Sequence, residues 1–223
     1  MIEAKAPTRL IRRVYDLWSL FYGWIVEPLE RRPRMIGLQR ANVQPHDRVL
    51  EVAVGTGTAF VEIVRKLDKA NVAYGVDLSP RMLAKTRRRA SRAGYTNVGL
   101  QEADARALPF RDSSFDVLYN AYMLDLVPSE EIPAVLGEFK RVLKPGGRLV
   151  IVSMSKKAGN RLTLWERIYL RLPARWGAFI TGGCRPVLLE GLVSQAGFRQ
   201  VQREFLPHLL ASEIVTAYKP EPG

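Results

Sequence analysis

The stretch RVLEVAVGTGTAF, residues 48–60, decides the fold of this chain. Its first half is a run of apolar residues typical of a strand buried on both faces, and from Phe60 onwards apolar residues recur at helical spacing. Gly55 and Gly57 lie between the two segments. Because glycine adopts backbone conformations closed to other residues, the main chain can turn tightly here and approach a ligand. The stretch therefore predicts a strand-to-helix turn whose free N–H groups bind a polar ligand group.

The segments that follow repeat this alternation of strand and helix. Ser79 and Pro80 provide a helix cap and a first-turn proline directly after a strand that ends at Asp77. Apolar runs predict four further strands, at residues 71–76, 97–100, 115–119 and 148–153. This order predicts an α/β fold with a mostly parallel sheet, helices on both faces and a ligand at the carboxyl ends of the strands.

Taken together, these motifs resemble the class I methyltransferases that use S-adenosylmethionine, in particular the branch of quinone, sterol and phospholipid enzymes. EVAVGTG, residues 51–57, is similar to the family's first motif, with Ala53 in place of its first glycine. Three later stretches also resemble family motifs: GVDLS at residues 75–79, DA at 104–105 and LKPGG at 143–147. The resemblance, over residues 15–152, implies a Rossmann-like seven-stranded sheet, mostly parallel, whose last strand at residues 213–218 is antiparallel.

The resemblance also implies S-adenosylmethionine as the cofactor and S-adenosylhomocysteine as its product. Asp77 would accept hydrogen bonds from the two ribose hydroxyls, because an ionised carboxylate offers several acceptor positions. Met82 would pack on the adenine, whose exocyclic amine would donate to Asp104. The other implied cofactor contacts are Glu51, Ala53, Gly55, Gly57, Leu78, Ala105 and Asn120. From the residues alone, an acid near a helix start can instead stabilise that helix, and a methionine at helical spacing can belong to the core.

The chemistry makes few demands on catalytic side chains. Methyl transfer is an in-line displacement from a sulfonium, so the enzyme chiefly positions and desolvates the nucleophile. An amine must still lose a proton and a carbon must be activated, so one polar side chain is expected near the methyl group. Tyr15 with Asp16 resembles a pair that closes over the cofactor in the quinone and lipid enzymes. The candidates are Tyr15, Tyr22, Tyr122 and Asp125.

Positive charge is concentrated in two segments that are also rich in aromatic residues. The chain has a net charge of +12, and its N-terminal residues combine Arg9, Arg12 and Arg13 with an apolar helical face. We interpret residues 1–40 as an amphipathic helical lid, a membrane-contacting segment or both, and residues 41–223 as the methyltransferase domain. Within that domain, residues 155–186 are predicted to form a substrate-site insertion after the fifth strand.

The remaining composition narrows the protein class. A single cysteine, Cys184, excludes an internal disulfide framework and indicates a reducing compartment. The two histidines, His46 and His208, are isolated, so no metal site is predicted. The sequence shows neither a secretory signal nor an apolar span of about 18 residues. We therefore expect a cytoplasmic protein that is peripheral on the inner face of the membrane.

The leading functional hypothesis is a methyltransferase acting on a membrane-associated lipid, such as an aminophospholipid headgroup or a prenylated quinone, at an anionic membrane surface. The alternative is a methyltransferase of a soluble small molecule, since the N-terminal helix can be only a lid. The basic charge also suggests a nucleic-acid methyltransferase. Against that idea, NAYM at residues 120–123 lacks the Pro-Pro-aromatic sequence of the amino-methylating nucleic-acid enzymes. A non-catalytic lipid-binding module is a further hypothesis, which the intact glycine and acid motifs disfavour.

Overall fold

The computed structural model describes residues 27–156, 184–207 and 211–221. Within them strands and helices alternate except at residues 98–121 and 199–218, where two strands follow each other directly. The described helices are α1 Glu27–Ala41, α2 Thr58–Lys66, α3 Pro80–Arg92, α4 Ile132–Val142 and α5 Glu190–Gln195. The described strands are β1 Val49–Val52, β2 Ala73–Asp77, β3 Val98–Glu102, β4 Phe115–Ala121, β5 Leu143–Met154, β6 Arg199–Leu206 and β7 Ser212–Tyr218. None of the helices in these ranges is long and apolar enough to cross a bilayer.

The strands form one seven-stranded sheet in the order β3-β2-β1-β4-β5-β7-β6. Strands β1 to β5 pair in parallel, whereas β7 is antiparallel to both β5 and β6. The predicted mostly parallel sheet with an antiparallel last strand is therefore confirmed. The chain adds β2 and β3 on one side of β1 and then returns to place β4 on the other side. Ligands of open α/β sheets bind at such a reversal of strand order, outside the carboxyl ends of the strands.

Both faces of the sheet are covered by helices. Leu38 of α1, Phe60 of α2 and Leu83 of α3 belong to one buried apolar cluster, and helices α4 and α5 contribute to a second. Strand β4 contributes side chains to both clusters. Leu118 lies in the second cluster, and its neighbours Val117 and Tyr119 lie in the first. A strand buried on both faces needs apolar residues without alternation, which explains the continuous apolar runs in the sequence.

Strand β5 begins earlier than the sequence predicts. The prediction was residues 148–153, with the KPGG turn before them, but β5 starts at Leu143 and includes that turn. Its pairing with β4 shifts register between Phe115 and Val117, which accommodates the extra residues. Gly146, with φ at +70°, donates its N–H to the carbonyl of Lys219 at 3.0 Å. Because Lys219 directly follows β7, this hydrogen bond holds the KPGG turn against the sheet. The turn therefore forms an irregular start of β5.

The N-terminal segment is partly described. Residues 1–26 lie outside the described residues, and residues 27–40 form nearly all of α1, which packs on the sheet. A Cβ atom on Gly37 would approach a side-chain methyl of Val152 to 2.4 Å, so the backbone of this helix packs directly on the Val152 side chain of β5. The Tyr119 hydroxyl also donates to the Arg34 carbonyl at 2.8 Å. The described part of the predicted lid is thus anchored to the domain.

Most of the predicted insertion, residues 157–183, also lies outside the described residues. Its two flanks are described and lie side by side. Ser155 forms a parallel bridge with Val187, and the Ser155 hydroxyl donates to the Val187 carbonyl at 2.7 Å. The described ends of this region therefore meet at one place, at the end of β5.

Candidate active site

The loop after β1 turns through left-handed backbone conformations. Gly55 and Gly57 have φ angles of +54° and +83°, and Ala53 has one of +61°. A Cβ on Gly57 would lie 2.9 Å from the backbone of Thr86, so glycine permits the close contact between this loop and α3. Alanine has no such freedom, and a left-handed residue costs about 1–2 kcal/mol. The substitution at Ala53 therefore leaves strain in the loop, which the sequence alone does not reveal.

Asp77, the last residue of β2, fixes this loop in place. One of its carboxylate oxygens accepts from the Gly55 N–H at 2.9 Å, and the other accepts from the Ser79 N–H at 2.9 Å. The Ser79 hydroxyl in turn accepts from the Met82 N–H at 3.2 Å and caps α3. Each carboxylate oxygen can take two hydrogen bonds. The structural role of Asp77 is therefore compatible with the ligand-binding role that the sequence predicts.

A cleft of about 1110 Å³, open to solvent, lies at the carboxyl ends of β1 to β4, and its volume includes some of that solvent. Eight of the residues predicted from sequence line it: Ala53, Gly55, Asp77, Leu78, Met82, Asp104, Ala105 and Tyr122. Four others are not among the described residues of its lining: Glu51, Gly57, Asn120 and Asp125. Two candidates, Tyr15 and Tyr22, lie outside the described residues. The structure thus gathers most of the predicted cofactor set on one concave surface.

Glu51 and Asn120 lie beneath the floor of the cleft, each fully buried. The Asn120 side chain donates to the Val52 carbonyl at 2.9 Å, which joins β4 to β1. The Glu51 carboxyl has no hydrogen-bond partner among the described residues. Burial raises the pKa of Glu51 to about 8, although the positive charge of Arg34 acts in the opposite direction. Glu51 therefore carries a proton at neutral pH.

Asp104, two residues after β3, is held by Arg106. The Arg106 guanidinium pairs with the carboxylate at 2.5 Å and also with Glu131 at 2.7 Å. The hydrogen bonds from Arg106 keep the pKa of Asp104 below its usual value, so this acid is ionised. Sequence reasoning missed Arg106, because an arginine after a strand is usually a solvated surface residue.

Tyr122 and Asp125 follow β4 but differ in their access to the cleft. Tyr122 lines it with φ at +56°, and its hydroxyl shares a hydrogen bond with the Ser212 hydroxyl at 2.8 Å. Burial raises the pKa of this phenol above its usual value. Burial likewise raises the pKa of Asp125 to about 7, and the Met154 N–H lies 3.4 Å from its carboxylate. Of the two candidates, only Tyr122 is placed to meet a ligand directly.

Helix α1 contributes two further ionised residues that the sequence did not single out. The Glu27 carboxylate accepts from Thr56 at 2.8 Å, from Thr58 at 2.5 Å and from Arg89 at 2.8 Å. Burial alone would raise the pKa of Glu27, but the hydrogen bonds from Arg89 and the two threonines outweigh it and lower the pKa. Glu27 therefore ties the start of α1 to the glycine loop.

The second is Arg34, which is 8% exposed and forms an ion pair with Glu30 at 2.6 Å. Its guanidinium carbon lies 5.0 Å from the centre of the Tyr122 ring. The i, i+4 spacing of Glu30 and Arg34 was the one sequence signal for this pair. Because both Glu27 and Arg34 line the cleft, α1 forms one of its walls.

Comparison with known proteins decides the family. Residues 49–147 match the family model described as a methyltransferase domain. A demethylmenaquinone methyltransferase from Thermus thermophilus is 38% identical over 166 residues, which cover 68% of this chain and 74% of that protein. The chain belongs to the class I S-adenosylmethionine-dependent methyltransferases. A ubiquinone/menaquinone biosynthesis C-methyltransferase UbiE from Geotalea daltonii is 30% identical to this methyltransferase over 164 residues, 71% of this chain and 68% of that protein.

The fold of the methyltransferase is also that of solved structures. The [4+2]-cyclase SpnF superimposes with a TM-score of 0.77 at 21% identity, over 97% of this chain and 98% of the cyclase. At that identity the likeness shows the fold alone. The cofactor of this methyltransferase is S-adenosylmethionine, and the site fits it, since a glycine-rich turn and a carboxylate at the end of β2 meet in a largely apolar cleft.

Proposed function

We propose that this methyltransferase methylates a ring carbon of a membrane-associated prenylated quinone in its reduced form. The observation that carries the proposal is the kinship with proteins named for demethylmenaquinone and ubiquinone/menaquinone C-methylation, which extends over two thirds of the chain. The relatives favour the quinone over the aminophospholipid headgroup, the other lipid that the sequence suggested.

The predicted roles of the cleft residues suggest a direction for the bound cofactor. S-adenosylmethionine supplies an electrophilic methyl group on a sulfonium when it is bound. Asp77, at the end of β2, would hold the ribose, with Leu78 and Met82 against the adenine. Neighbouring parallel strands lie about 4.8 Å apart, so the ends of β3 and β4, with β2 and β1 between them, are about 14 Å apart. The adenine would thus lie toward Asp104 and the methionine end toward Tyr122.

The wall near Tyr122 suits an aromatic acceptor. Apolar side chains of Ala121 and Met123 line this end, and the buried guanidinium of Arg34, paired with Glu30, also lies there. A ring carbon becomes a nucleophile when a neighbouring phenol loses its proton to water. The guanidinium side of the Arg34–Glu30 ion pair would stabilise that phenolate, because N–H dipoles that face a poorly solvated cleft lower the energy of a nearby anion. The ring carbon would then form the new C–C bond as the C–S bond breaks, and the ring would afterwards release its own proton to water.

The acceptor assignment is tested by offering competing substrates together. Radiolabelled S-adenosylmethionine would be incubated with the full chain and vesicles containing demethylmenaquinol and phosphatidylethanolamine, with RNA and a soluble phenol also present. We expect label in the quinone fraction, lost in Asp77→Asn and retained in Asp68→Asn, a matched change at an exposed acid. Label confined to phosphatidylethanolamine, RNA or the soluble phenol would overturn the proposal and leave the methyltransferase assignment intact.

We further propose that the enzyme meets its substrate at an anionic membrane surface. Helices α1 and α3 carry exposed arginines. The ion pair between Glu27 and Arg89 joins these two helices beside the cleft. The exposed arginines are Arg31, Arg32, Arg81, Arg87, Arg88 and Arg92. The basic amphipathic stretch predicted at the N-terminus lies outside the described residues and would add to this charge. Basic side chains near an anionic leaflet contribute about 1 kcal/mol each to binding.

A further inference from the structure

Arg185 is fully buried beside the loop that joins β4 to α4. It lies two residues before Val187, whose bridge to Ser155 holds this part of the chain against the end of β5. The Val187 N–H also donates to the Met154 carbonyl at 3.0 Å. The backbone next to Arg185 is therefore fixed on the sheet, and the arginine side chain reaches the neighbouring loop from there.

The guanidinium of Arg185 binds main-chain carbonyls of that loop. Its Nη1 donates to the Asp125 carbonyl at 3.1 Å, and the Arg185 N–H donates to the same carbonyl at 3.2 Å. Its Nη2 donates to the Val127 carbonyl at 2.7 Å and to the Ser129 hydroxyl at 3.1 Å. A carbonyl in a loop has no partner from a helix or a strand ladder, and burying it unpaired is unfavourable. Arg185 therefore satisfies two loop carbonyls, one on each side of Leu126.

The loop that Arg185 holds forms one end of the cleft. Tyr122, Met123, Leu126 and Val127 all belong to the cleft lining. Arg185 itself is not among the described residues of that lining. Any effect of Arg185 on the bound molecules must therefore pass through the loop.

The contacts of Arg185 need the shape of an arginine as well as its charge. A guanidinium is planar and presents its N–H groups in a rigid fork, whereas a lysine ammonium is a compact charge on a flexible stem. The fork of Arg185 meets acceptors on three alternate residues of the loop, at positions 125, 127 and 129. Displacing a residue that positions a substrate by about 1 Å can cost about 10²-fold in rate. The loop conformation set by Arg185 is therefore relevant to methyl transfer.

We propose that Arg185 is a positioning residue for the methyl acceptor, which it never touches. By holding two carbonyls of the loop, it places Leu126 and Val127 against the acceptor. The proposal rests on the proposed function for the place of the acceptor, at the Tyr122 end of the cleft. The predicted cofactor contacts lie mainly on the glycine loop, at the end of β2 and on α3, so cofactor binding does not depend on Arg185.

The test compares Arg185→Lys with Arg141→Lys in the full chain. Lysine keeps the positive charge but cannot reproduce the fork. Arg141, in the last turn of α4, also donates to two main-chain carbonyls, those of Phe110 at 2.7 Å and Leu108 at 2.9 Å. Neither Phe110 nor Leu108 is among the described residues of the cleft lining, so Arg141→Lys is a matched control.

The expected result is a split between acceptor kinetics and cofactor binding. We expect Arg185→Lys to lower kcat/KM for the acceptor by about tenfold or more. Isothermal titration calorimetry should give a dissociation constant for S-adenosylhomocysteine within about twofold of that of the unchanged protein. Arg141→Lys should keep both quantities within about twofold. A purely structural role would not separate them in this way.

Two further measurements separate this proposal from the quinone assignment. The kinetics use whichever acceptor the unchanged protein labels when demethylmenaquinol, phosphatidylethanolamine, RNA and a soluble phenol compete. A wrong quinone assignment thus changes the acceptor and leaves the test of Arg185 intact. Hydrogen exchange of residues 122–130, followed by mass spectrometry, needs no acceptor. We expect faster exchange there in Arg185→Lys and an unchanged rate in Arg141→Lys.

Three results would overturn the proposal. They are acceptor kinetics of Arg185→Lys within about twofold of the unchanged protein, a loss of cofactor affinity as large as the loss of kcat/KM, and unchanged exchange of residues 122–130. If Arg185→Lys does not fold, Ser129→Ala takes its place, since it removes one of the three acceptors of the guanidinium. We then expect a loss in kcat/KM of about two- to fivefold with cofactor binding unchanged, and no loss would overturn the proposal.

Discussion

Ala53 and Tyr122 are the residues other than glycine that line the cleft, among those described, with a left-handed backbone. They follow β1 and β4, which are neighbours in the sheet, so the unusual conformations meet where the methyl group is proposed to lie. Such conformations cost about 1–3 kcal/mol each and persist only where surrounding contacts hold them. At Tyr122 those contacts include an N–H bond to the Val152 carbonyl at 2.8 Å and the hydroxyl bond to Ser212.

The strain at Ala53 predicts the effect of restoring glycine. We expect Ala53→Gly to raise the free energy of unfolding by up to about 1 kcal/mol, because relief of the left-handed alanine exceeds the entropy that glycine adds to the unfolded chain. Urea denaturation measures the change. The same substitution at Ala59, inside α2, should instead destabilise by about 1 kcal/mol. Equal losses in both variants would show that Ala53 carries no strain.

The buried carboxyl of Glu51 predicts a dependence of stability on pH. Its pKa of about 8 lies above the ordinary value of 4.5, so the folded state binds the proton more tightly than the unfolded state. Stability from this group is therefore present at low pH and falls as pH rises from about 5 to 8, by up to about 1.4 kcal/mol per pH unit. Glu51→Gln keeps the shape without the titration.

Unfolding of the Glu51→Gln variant in urea at several pH values checks this account. The variant should lose less stability than the unchanged protein between about pH 5 and 8. Glu62→Gln, at a more exposed acid on α2, serves as the matched control and should keep the original slope. Identical slopes in all three proteins would contradict the buried, protonated state of Glu51.

At the scale of elements, the strands and the glycine turn were predictable, whereas the contribution of α1 was not. Because β4 is buried on both faces, its run of apolar residues predicts a central strand from the sequence alone. Asp77 could be singled out because an acid at the end of such a strand lies at the edge of the sheet where ligands bind in this fold class. Glu27 and Arg34 gain their roles only when α1 docks against the loop and β4, which no local pattern specifies. Asp104 lines the cleft, but its pairing with Arg106 depends on side-chain geometry that the sequence does not specify.

The docking of α1 predicts opposite effects for one substitution at two glycines. In Gly37→Ala the added methyl group meets Val152 at 2.4 Å, and we expect a loss of about 1–3 kcal/mol from overpacking. In Gly137→Ala, inside α4, the methyl group meets nothing within 4 Å, so we expect a gain of about 0.5–1 kcal/mol from helix propensity. Thermal and urea unfolding compare the two variants. Stabilisation of both would mean that α1 does not pack on β5 as described.

At the scale of the whole molecule, the basic residues that give the net charge of +12 fall into two groups. Ion pairs within the domain, such as Lys144 with Asp116 and Arg203 with Glu213, use basic residues to hold the sheet and its connections. By contrast, in the part of the chain that the structure describes, no ion pair involves the exposed arginines Arg31, Arg32, Arg88 and Arg92 of α1 and α3. Electrostatic attraction from that face concentrates the enzyme at an anionic surface and weakens with salt, because the screening length is about 10 Å at 0.1 M.

Sedimentation with vesicles tests the membrane proposal. The full chain should bind vesicles containing phosphatidylglycerol more tightly than vesicles of phosphatidylcholine alone, and added salt should weaken that binding. Arg88→Glu should weaken it several-fold, at about 1 kcal/mol per basic residue. Arg199→Glu makes the same change of charge on β6, at the opposite edge of the sheet, and should have a smaller effect. Equal binding to both vesicle types would contradict an anionic membrane surface as the partner.

The central claim, methylation of a ring carbon of a reduced prenylated quinone, is tested most directly by locating the transferred group. The full chain would be incubated with demethylmenaquinol vesicles and S-adenosylmethionine that carries a trideuterated methyl group, and the product analysed by mass spectrometry after mild oxidation. We expect the label on the quinone ring in a product that still oxidises to a quinone, because a new C–C bond leaves both oxygens free. Label on a ring oxygen, which blocks that oxidation, or no label in the quinone at all would contradict the account.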